Sequence, residues 1–155
     1  MLVQGIYARL VADSAILALD AGVYPALAPK ESSLPFVVYT QVGANNVSSF
    51  DGVNRLGEAR LRFSCYGWSY GAAKILAAAV KNNLLGLLVT LSEGTEVQGS
   101  WLEMEDDTVD ADLQGTVFAS HVDIRFMFID TTTPADIVVI AMQEQQPIVL
   151  DGGGF

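Results

Sequence analysis

The sequence contains few of the residues from which enzymes and nucleic-acid-binding proteins build their sites. Its 155 residues include one cysteine, one histidine and eight lysines and arginines, against eighteen aspartates and glutamates. The single cysteine, Cys65, has no partner for a disulfide within the chain. The net charge of −10 leaves no basic stripe of the kind that binds phosphate groups. We therefore do not expect the protein to wrap DNA or to read its sequence.

The motifs of the common enzyme classes are also missing from the sequence. It contains no G-x-S-x-G, H-E-x-x-H, P-loop or G-x-G-x-x-G motif. His121 lies on the polar face of a predicted strand, without a carboxylate or nucleophile partner that the sequence would fix. Cys65 lies on the apolar face of another strand, where a thiol usually acts as a small core side chain. We expect no catalysis and no cofactor.

The N-terminal residues do not have the pattern of a signal peptide or a membrane span. Arg9 and Asp13 interrupt the apolar run, and no basic start precedes it. Apolar residues make up 51% of the chain, which is enough to build the core of one domain of this length. A folded domain without a membrane partner is the expectation.

Hydrophobic periodicity predicts two helices and four strands. In order they are a helix over residues 2–21 that Gly22 ends, strands over 36–42 and 60–66, a helix over 70–84, and strands over 96–104 and 116–128. This succession predicts an α+β fold in two layers, α-β-β-α-β-β, with a mainly antiparallel sheet and the helices on one face. A C-terminal β extension follows.

Three of these elements have the clearest patterns. Alternation puts Leu61, Phe63 and Cys65 on one face of their strand. The same alternation puts Val122, Ile124, Phe126 and Phe128 on one face of the last strand, with His121, Asp123 and Arg125 on the other. The second helix has an apolar stripe at helical spacing, and Ser69 is its predicted N-cap. The stripe consists of Ala73, Leu76, Val80 and Leu84, and Lys74 and Lys81 lie away from it.

Two polar segments are predicted to be loops, residues 43–57 and the acidic run within residues 101–115. The acidic run contains six carboxylates. An EF-hand loop needs glycine at its sixth position and glutamate at its twelfth. Counted from Asp110 the twelfth residue is His121, and counted from Asp106 the sixth residue is Ala111. A solvated connection between two strands is therefore the interpretation, and a small calcium- or sugar-binding module is an alternative.

The character of the chain changes after Ile129. Residues 130–136 resemble a linker, and two short apolar segments follow at 137–142 and 147–150. We therefore divide the chain into a domain over 1–129 and a linker with a C-terminal arm or an extra hairpin over 130–155. The candidate arm residues are Ile137, Val138, Val139, Ile140, Ile148, Val149 and Leu150. An arm would add a strand to a neighbouring protein chain, whereas a hairpin would fold on its own domain.

Several short segments, taken in order, resemble a known family. They are residues 13–15 (DSA), 23–25 (VYP), 34–39 (LPFVVY), 51–52 (DG), 62–66 (RFSCY) running into 70–74 (YGAAK), 103–107 (EMEDD) and 110–112 (DAD). In this combination the domain up to Ile129 is similar to the tail-completion, or tail terminator, proteins of long-tailed bacteriophages. These proteins are also called tail-to-head joining proteins. The extension after Ile129 departs from the family pattern.

The resemblance implies a structural virion protein of the tail and neck, assembled in the cytoplasm of the bacterial host. Members of such families form hexameric rings at the head-proximal end of the tail tube, stop its polymerisation and join it to the head. The implied partners are further copies of the chain, the major tail tube protein and a head-side connector or stopper. Double-stranded DNA would pass through the channel without specific binding. A head-side adaptor or stopper of the neck is the alternative within the same particle.

The two polar segments are the candidate assembly or channel-facing surfaces, because function is concentrated in loops. Acidic side chains that face a channel would repel DNA and keep it from sticking. The candidate residues are Asn45, Asn46, Asp51, Arg55, Glu105, Asp106, Asp107, Asp110 and Asp112.

Overall fold

The computed structural model describes residues 2–46, 56–112 and 115–129. Within these ranges the elements are α1 (Leu2–Val11), α2 (Ser14–Ala18), β1 (Gly22–Pro25), β2 (Phe36–Asn46), β3 (Leu56–Gly67), α3 (Tyr70–Leu84), β4 (Val89–Thr90), β5 (Glu96–Asp112) and β6 (Gly115–Ile129). All six strands belong to one sheet with the order β1-β2-β3-β6-β5-β4. The predicted α+β class is confirmed. The two-layer order of helices and sheet stays a prediction.

The sheet is mixed, but antiparallel pairing dominates it. Only β1 runs parallel to its neighbour β2, and each of the other adjacent strand pairs in the described sheet is antiparallel. The register of β3 against β6 is unbroken from Leu56 opposite Ile129 to Gly67 opposite Phe118. These two strands form the centre of the sheet and hold the apolar residues of its core face in line.

The core lies against one face of β3 and β6, as the alternation predicts. The side chains of Leu61, Phe63 and Cys65 on β3 are fully buried, as are Val122, Ile124 and Phe126 on β6. Residues from all three helices complete the same cluster, among them Leu2, Ile6, Leu10, Ile16, Leu76, Val80 and Leu84. In the part of the chain that the structure describes, no helix is long and apolar enough to cross a membrane.

Helix α3 has the predicted bounds and the predicted cap. The Ser69 hydroxyl accepts a hydrogen bond from the backbone N–H of Ala72 at 3.0 Å, which satisfies one of the free donors of the first turn. Two residues, Trp68 and Ser69, connect β3 to this helix. A Cβ atom on Gly67 would lie 2.8 Å from the backbone nitrogen of Ala73, so only glycine allows so close an approach.

The N-terminal region differs from the single predicted helix over residues 2–21. Helix α1 ends at Val11 and α2 begins at Ser14, because Asp13 at the N-cap of α2 has an extended backbone conformation (φ −71°, ψ 125°). Aspartate and serine favour helix starts over helix interiors, which explains the interruption. Helix α2 ends at Ala18, before the Gly22 that was predicted to end the helix, and Gly22 instead begins β1, a strand that was not predicted.

Both predicted loops are shorter than expected. Strand β2 continues to Asn46 and β3 begins at Leu56, so the ends of the 43–57 segment are strands and residues 47–55 lie outside the described chain. Strand β5 continues through the acidic run to Asp112. Polar sequences have low strand propensity, but β6 provides a hydrogen-bonded partner along the whole run and outweighs it. Strand β4, with two residues, was also not predicted.

Candidate assembly surface

The acidic run forms part of a strand, so its carboxylates alternate between the two faces of the sheet. Glu105 lies opposite Val122 and Asp107 opposite Ser120, on the face that α3 covers. Asp106 lies opposite His121, on the other face, and its side chain is exposed. The run is therefore two separate sets of carboxylates with different surroundings.

On the α3 side, the carboxylates of Glu105 and Asp107 bind the helix through a cluster that we call the α3–β5 ion cluster. It consists of Tyr70, Lys74, Lys81, Glu105 and Asp107. The Lys81 ammonium lies 2.7 Å from Glu105 Oε1, and the Lys74 ammonium lies 3.3 Å from Asp107 Oδ1. The Tyr70 hydroxyl donates to Asp107 Oδ2 at 3.0 Å. These contacts attach the outer part of β5 to the helix.

The cluster shifts the protonation equilibria of its members. Burial opposes ionisation of Asp107, but its interactions with Ser120, Tyr70 and Lys74 outweigh burial and lower the pKa of the carboxyl group. Burial likewise opposes the charge on Lys74, yet the Asp107 carboxylate raises the pKa of its ammonium group. Both groups are thus held in their charged forms over a wider pH range than in an unfolded chain.

Ser100 fixes β5 against the end of the same helix. Its buried hydroxyl donates to the carbonyl oxygen of Leu84 and accepts a hydrogen bond from the backbone N–H of Leu87 at 2.8 Å. Because this contact lies at the C-terminus of α3 and the ion cluster lies along the helix, β5 is attached to α3 at several separate points.

The opposite face of β3 and β6 carries a second set of charges. Asp123 is only 2% exposed, and the Arg62 guanidinium binds both of its oxygens, at 2.8 and 3.2 Å. The hydrogen bond from Arg62 to Asp123 raises the pKa of the guanidinium. The Arg60 Nε atom lies 4.0 Å from the same carboxylate. A carboxylate this deeply buried is tolerated because it is paired and hydrogen-bonded.

Arg125 joins three strands on this face. Its guanidinium lies 3.1 Å from Glu58 on β3 and 2.9 Å from Glu103 on β5. The register of β5 against β6 shifts between Leu102 and Met104, so Glu103 is the extra residue of a bulge. Bulges redirect side chains, and this one aims Glu103 at Arg125.

His121 lies between two hydroxyl groups and not in a metal site. Its Nδ1 atom is hydrogen-bonded to Ser64 Oγ at 2.8 Å and its Nε2 atom to Thr108 Oγ1 at 3.0 Å. Within residues 2–46, 56–112 and 115–129, no group of three histidine, cysteine or acidic side chains could hold a metal ion. The arrangement connects β3, β6 and β5 across one face.

The sheet has two long outer edges that its short outer strands leave open. Strand β4 pairs only with Glu96 and Val97 of β5, and residues 101–112 have no described strand on their outer side; we call this stretch the β5 edge. Strand β1 covers β2 from Phe36 to Tyr39 and leaves residues 40–46, the β2 edge, without a described outer strand. Large apolar side chains on the β5 edge are exposed, and they are Trp101, Leu102, Met104 and Val109.

The structure separates the predicted candidate residues. Asn45 is exposed on β2, and Asn46 ends the same strand, which β3 and β6 separate from the acidic run on β5. Asp106 is exposed, whereas Glu105 and Asp107 contact α3. Asp110 and Asp112 lie at the end of β5. The loop residues Asp51 and Arg55 and all the candidate arm residues fall outside the described chain.

Sequence reasoning missed the partners of the acidic run on α3. Lys74 and Lys81 are seven residues apart, two turns of a helix, and therefore share one helix face. Glu105 and Asp107 are two residues apart and share one face of a strand. These spacings together could have indicated a helix–strand contact, once the acidic run was recognised as a strand.

With this geometry the chain can be compared with known proteins. A family model described as Tail completion protein gp17 matches residues 4–129. The chain belongs to this tail-completion family. The match spans every described element except the first residues of α1, and it confirms the resemblance derived from the sequence. The family is a structural tail protein family, and the match ends at residue 129 of this chain.

The fold also has a solved counterpart. A chain from the "Virion of native gene transfer agent (GTA) particle" aligns with a TM-score of 0.62 and 21% sequence identity, over 81% of this chain and 92% of that one. At this identity the likeness concerns the fold. No curated protein sequence matches the chain. Family and fold together assign the chain to the structural proteins of phage-type tails.

Proposed function

We propose that this tail-completion family protein forms a ring at the head-proximal end of a phage tail tube. There it ends polymerisation of the tube and joins the tail to the head-side connector. The observation that carries the proposal is the family match over residues 4–129. The proposed partners are further copies of the chain in a homo-hexamer, the major tail tube protein and a connector or stopper of the head.

The surface chemistry of the described domain supports an assembly role over a catalytic one. The carboxylates Glu105 and Asp107 are bound to α3, and Asp123 is bound to Arg62, so none is presented to a substrate. The sheet instead offers backbone edges that no described strand covers, together with exposed apolar side chains, which are features of surfaces that bind other proteins. We assign the protein to the virion, after assembly in the host cytoplasm.

Fewer carboxylates are proposed to face the channel than the sequence indicated. Glu105 and Asp107 are neutralised by lysines, so the proposed channel-facing carboxylates are Asp106, Asp110 and Asp112. The Asp106→Asn, Asp110→Asn and Asp112→Asn triple variant is expected to form rings but to slow the passage of DNA. The triple variant Asp13→Asn, Asp20→Asn and Glu93→Gln removes the same charge at other sites. Equal infectivity of the two reconstituted particles would exclude the channel role.

The C-terminal extension is proposed to act as an arm that adds a strand to a neighbouring protein. Truncation after Asp130 tests this against an extra hairpin. Loss of rings from an otherwise folded truncated protein is expected for an arm. Retention of rings with a lower thermal stability would instead indicate a hairpin on its own domain.

Reconstitution on tail tubes tests the proposed function itself. Tubes made without the tail-completion protein are expected to grow beyond normal length, and the purified protein should stop this growth and form a ring on one end. Negative-stain images and tube-length distributions give the result. Binding to capsids but not to tubes would move the protein to the head side as an adaptor or stopper.

A further inference from the structure

We infer that neighbouring copies join through their sheets, with the β5 edge of one copy paired to the β2 edge of the next. The inference rests on the proposed ring and names the surface that closes it. Its basis is a pair of edges on opposite sides of one sheet, one formed by residues 101–112 and the other by residues 40–46, along which no described strand pairs.

The directions of the strands suit such a junction. Strand β2 is antiparallel to β3, β3 to β6, and β6 to β5, so β5 and β2 run in opposite directions in each copy. Copies arranged around an axis along the strands all point the same way. The β5 edge of one copy then meets the β2 edge of the next as an antiparallel pair, which can extend the backbone hydrogen bonds of the sheet.

The positions of the two edges favour a ring over a twofold dimer. The open part of β2 lies beside the start of β3, at the end of the sheet where β5 begins. The open part of β5 lies towards the opposite end. Two unlike edges on opposite sides of one sheet form a head-to-tail contact, and a contact of this kind generates a closed ring when the rotation between copies closes. Because the open parts of β2 and β5 lie towards opposite ends of the sheet, they can pair only if the strands are tilted relative to the ring axis.

Electrostatic repulsion between the copies opposes this junction, since each copy carries a net charge of −10. The β2 edge has the sequence TQVGANN, which contains neither a charged residue nor the proline that protects many natural edges from pairing. On the β5 edge, Glu105 and Asp107 are paired with lysines and Glu103 with Arg125. The β2 edge therefore adds no charge to the junction, and three of the six carboxylates of the β5 edge are already paired within their own copy.

Cysteine cross-linking of the full-length protein tests the junction. Asn45 and Met104 are both exposed and lie on the face of the sheet that carries Asp123, because Asn45 is opposite Glu58 and Met104 opposite Asp123. The native Cys65 thiol is fully buried, and burial raises its pKa to about 12, so it gives little background with maleimides in the folded protein.

The double variant Asn45→Cys/Met104→Cys, treated with a short bismaleimide after ring assembly on tail tubes, is expected to give a ladder of covalent species that ends at the size of the ring. A mixture of the two single variants should give dimers only, and each single variant alone should give none. The double variants Asn45→Cys/Asp106→Cys and Asn45→Cys/Thr108→Cys move the second thiol along β5, and they test other registers between the β2 edge and the β5 edge. The control Asn45→Cys/Ala78→Cys, with one thiol on the exposed side of α3, should remain monomeric.

Three results would overturn the inference. Rings that give no ladder with any of the three registers would leave the proposed function intact and exclude this junction. Cross-linking of either single variant to itself would indicate a twofold contact. If the ladder disappears on truncation after Asp130 while the truncated protein still forms rings, the C-terminal segment pairs with the edge in place of the sheet of the next copy. A chain that forms no ring with or without tail tubes would overturn the proposed function as well.

Discussion

The two faces of strands β3 and β6 are built from alternate residues of the same strands, yet they contribute differently. On one face Phe63 and Phe126 are fully buried against the helices. On the other, Arg62 and Arg125 bind carboxylates from neighbouring strands. Burial of apolar area is the larger and less directional contribution, whereas paired charges contribute less and depend on position. The apolar face therefore stabilises the fold, and the charged face fixes which residues lie opposite each other.

The largest effect is expected on the apolar face. Phe63→Ala removes a fully buried ring and leaves a cavity, which should lower the free energy of unfolding by about 3–5 kcal/mol. Urea denaturation gives the value. Leu88→Ala, at a side chain that is 77% exposed, is the control and should change it little. If Phe63→Ala does not fold, Phe63→Leu should fold with a loss of about 1–2 kcal/mol. Equal effects of Phe63→Leu and Leu88→Ala on the free energy of unfolding would contradict the larger contribution assigned to the apolar face.

The next effect is expected for the buried carboxylate on the charged face. Arg62→Met leaves Asp123 buried with only the more distant Arg60, and should cost about 2–3 kcal/mol. Replacing both residues, as Arg62→Met/Asp123→Leu, should cost less than the sum of the single changes. A double-mutant cycle in urea measures the difference. Strictly additive single changes would mean that the two side chains do not interact.

A smaller effect is expected for the α3–β5 ion cluster, because its side chains are partly exposed to solvent. Lys81→Met should lower stability by about 0.2–1 kcal/mol, and the loss should shrink at high salt. Lys30→Met removes the same charge from an exposed site between β1 and β2 and is the control. Thermal unfolding at two ionic strengths compares them. An equal loss for both lysines would point to net charge and not to the contact with Glu105.

The smallest effect is expected in the pH dependence of Asp107. Its folded pKa lies below that of an unfolded aspartate, about 3.9, so its contribution to stability is present above that pH and is lost as the pH falls through the folded pKa. The stability difference between the protein and its Asp107→Asn variant should be a few tenths of a kcal/mol near neutral pH and should decrease progressively as the pH falls below about 4. In a Lys74→Met background the difference should be smaller. A difference that stays constant across this pH range would rule out the ionised form as its origin.

The sequence predicted those parts of the fold that local periodicity determines. Helix α3 was predicted with its exact bounds and cap, and the core faces of β3 and β6 were predicted residue by residue. Strand β1 and the acidic half of β5 were missed, because pairing with β2 and β6 creates them against weak local propensity. The break between α1 and α2 is a local signal at Asp13 that the apolar spacing on either side concealed.

The candidate surface was predicted in composition but not in arrangement. The carboxylates were recognised as a group, yet their division between two faces follows from a strand that was taken for a loop. The bulge at Glu103 and its contact with Arg125 depend on the register between β5 and β6, which no local pattern encodes. The open edges of β2 and β5 likewise follow from the strand order, and strand order is a property of the whole chain.

Gly67 has a consequence for how this chain can vary over evolution. The backbone of α3 leaves no room for a side chain at this position, so alanine would already force the helix away from the end of β3. Since α3 carries both lysines that bind β5, a shift at Gly67 would be transmitted to the acidic strand. We therefore expect descendants of this sequence to retain glycine here for as long as they keep the two-residue connection, even when the exposed residues around it have been replaced.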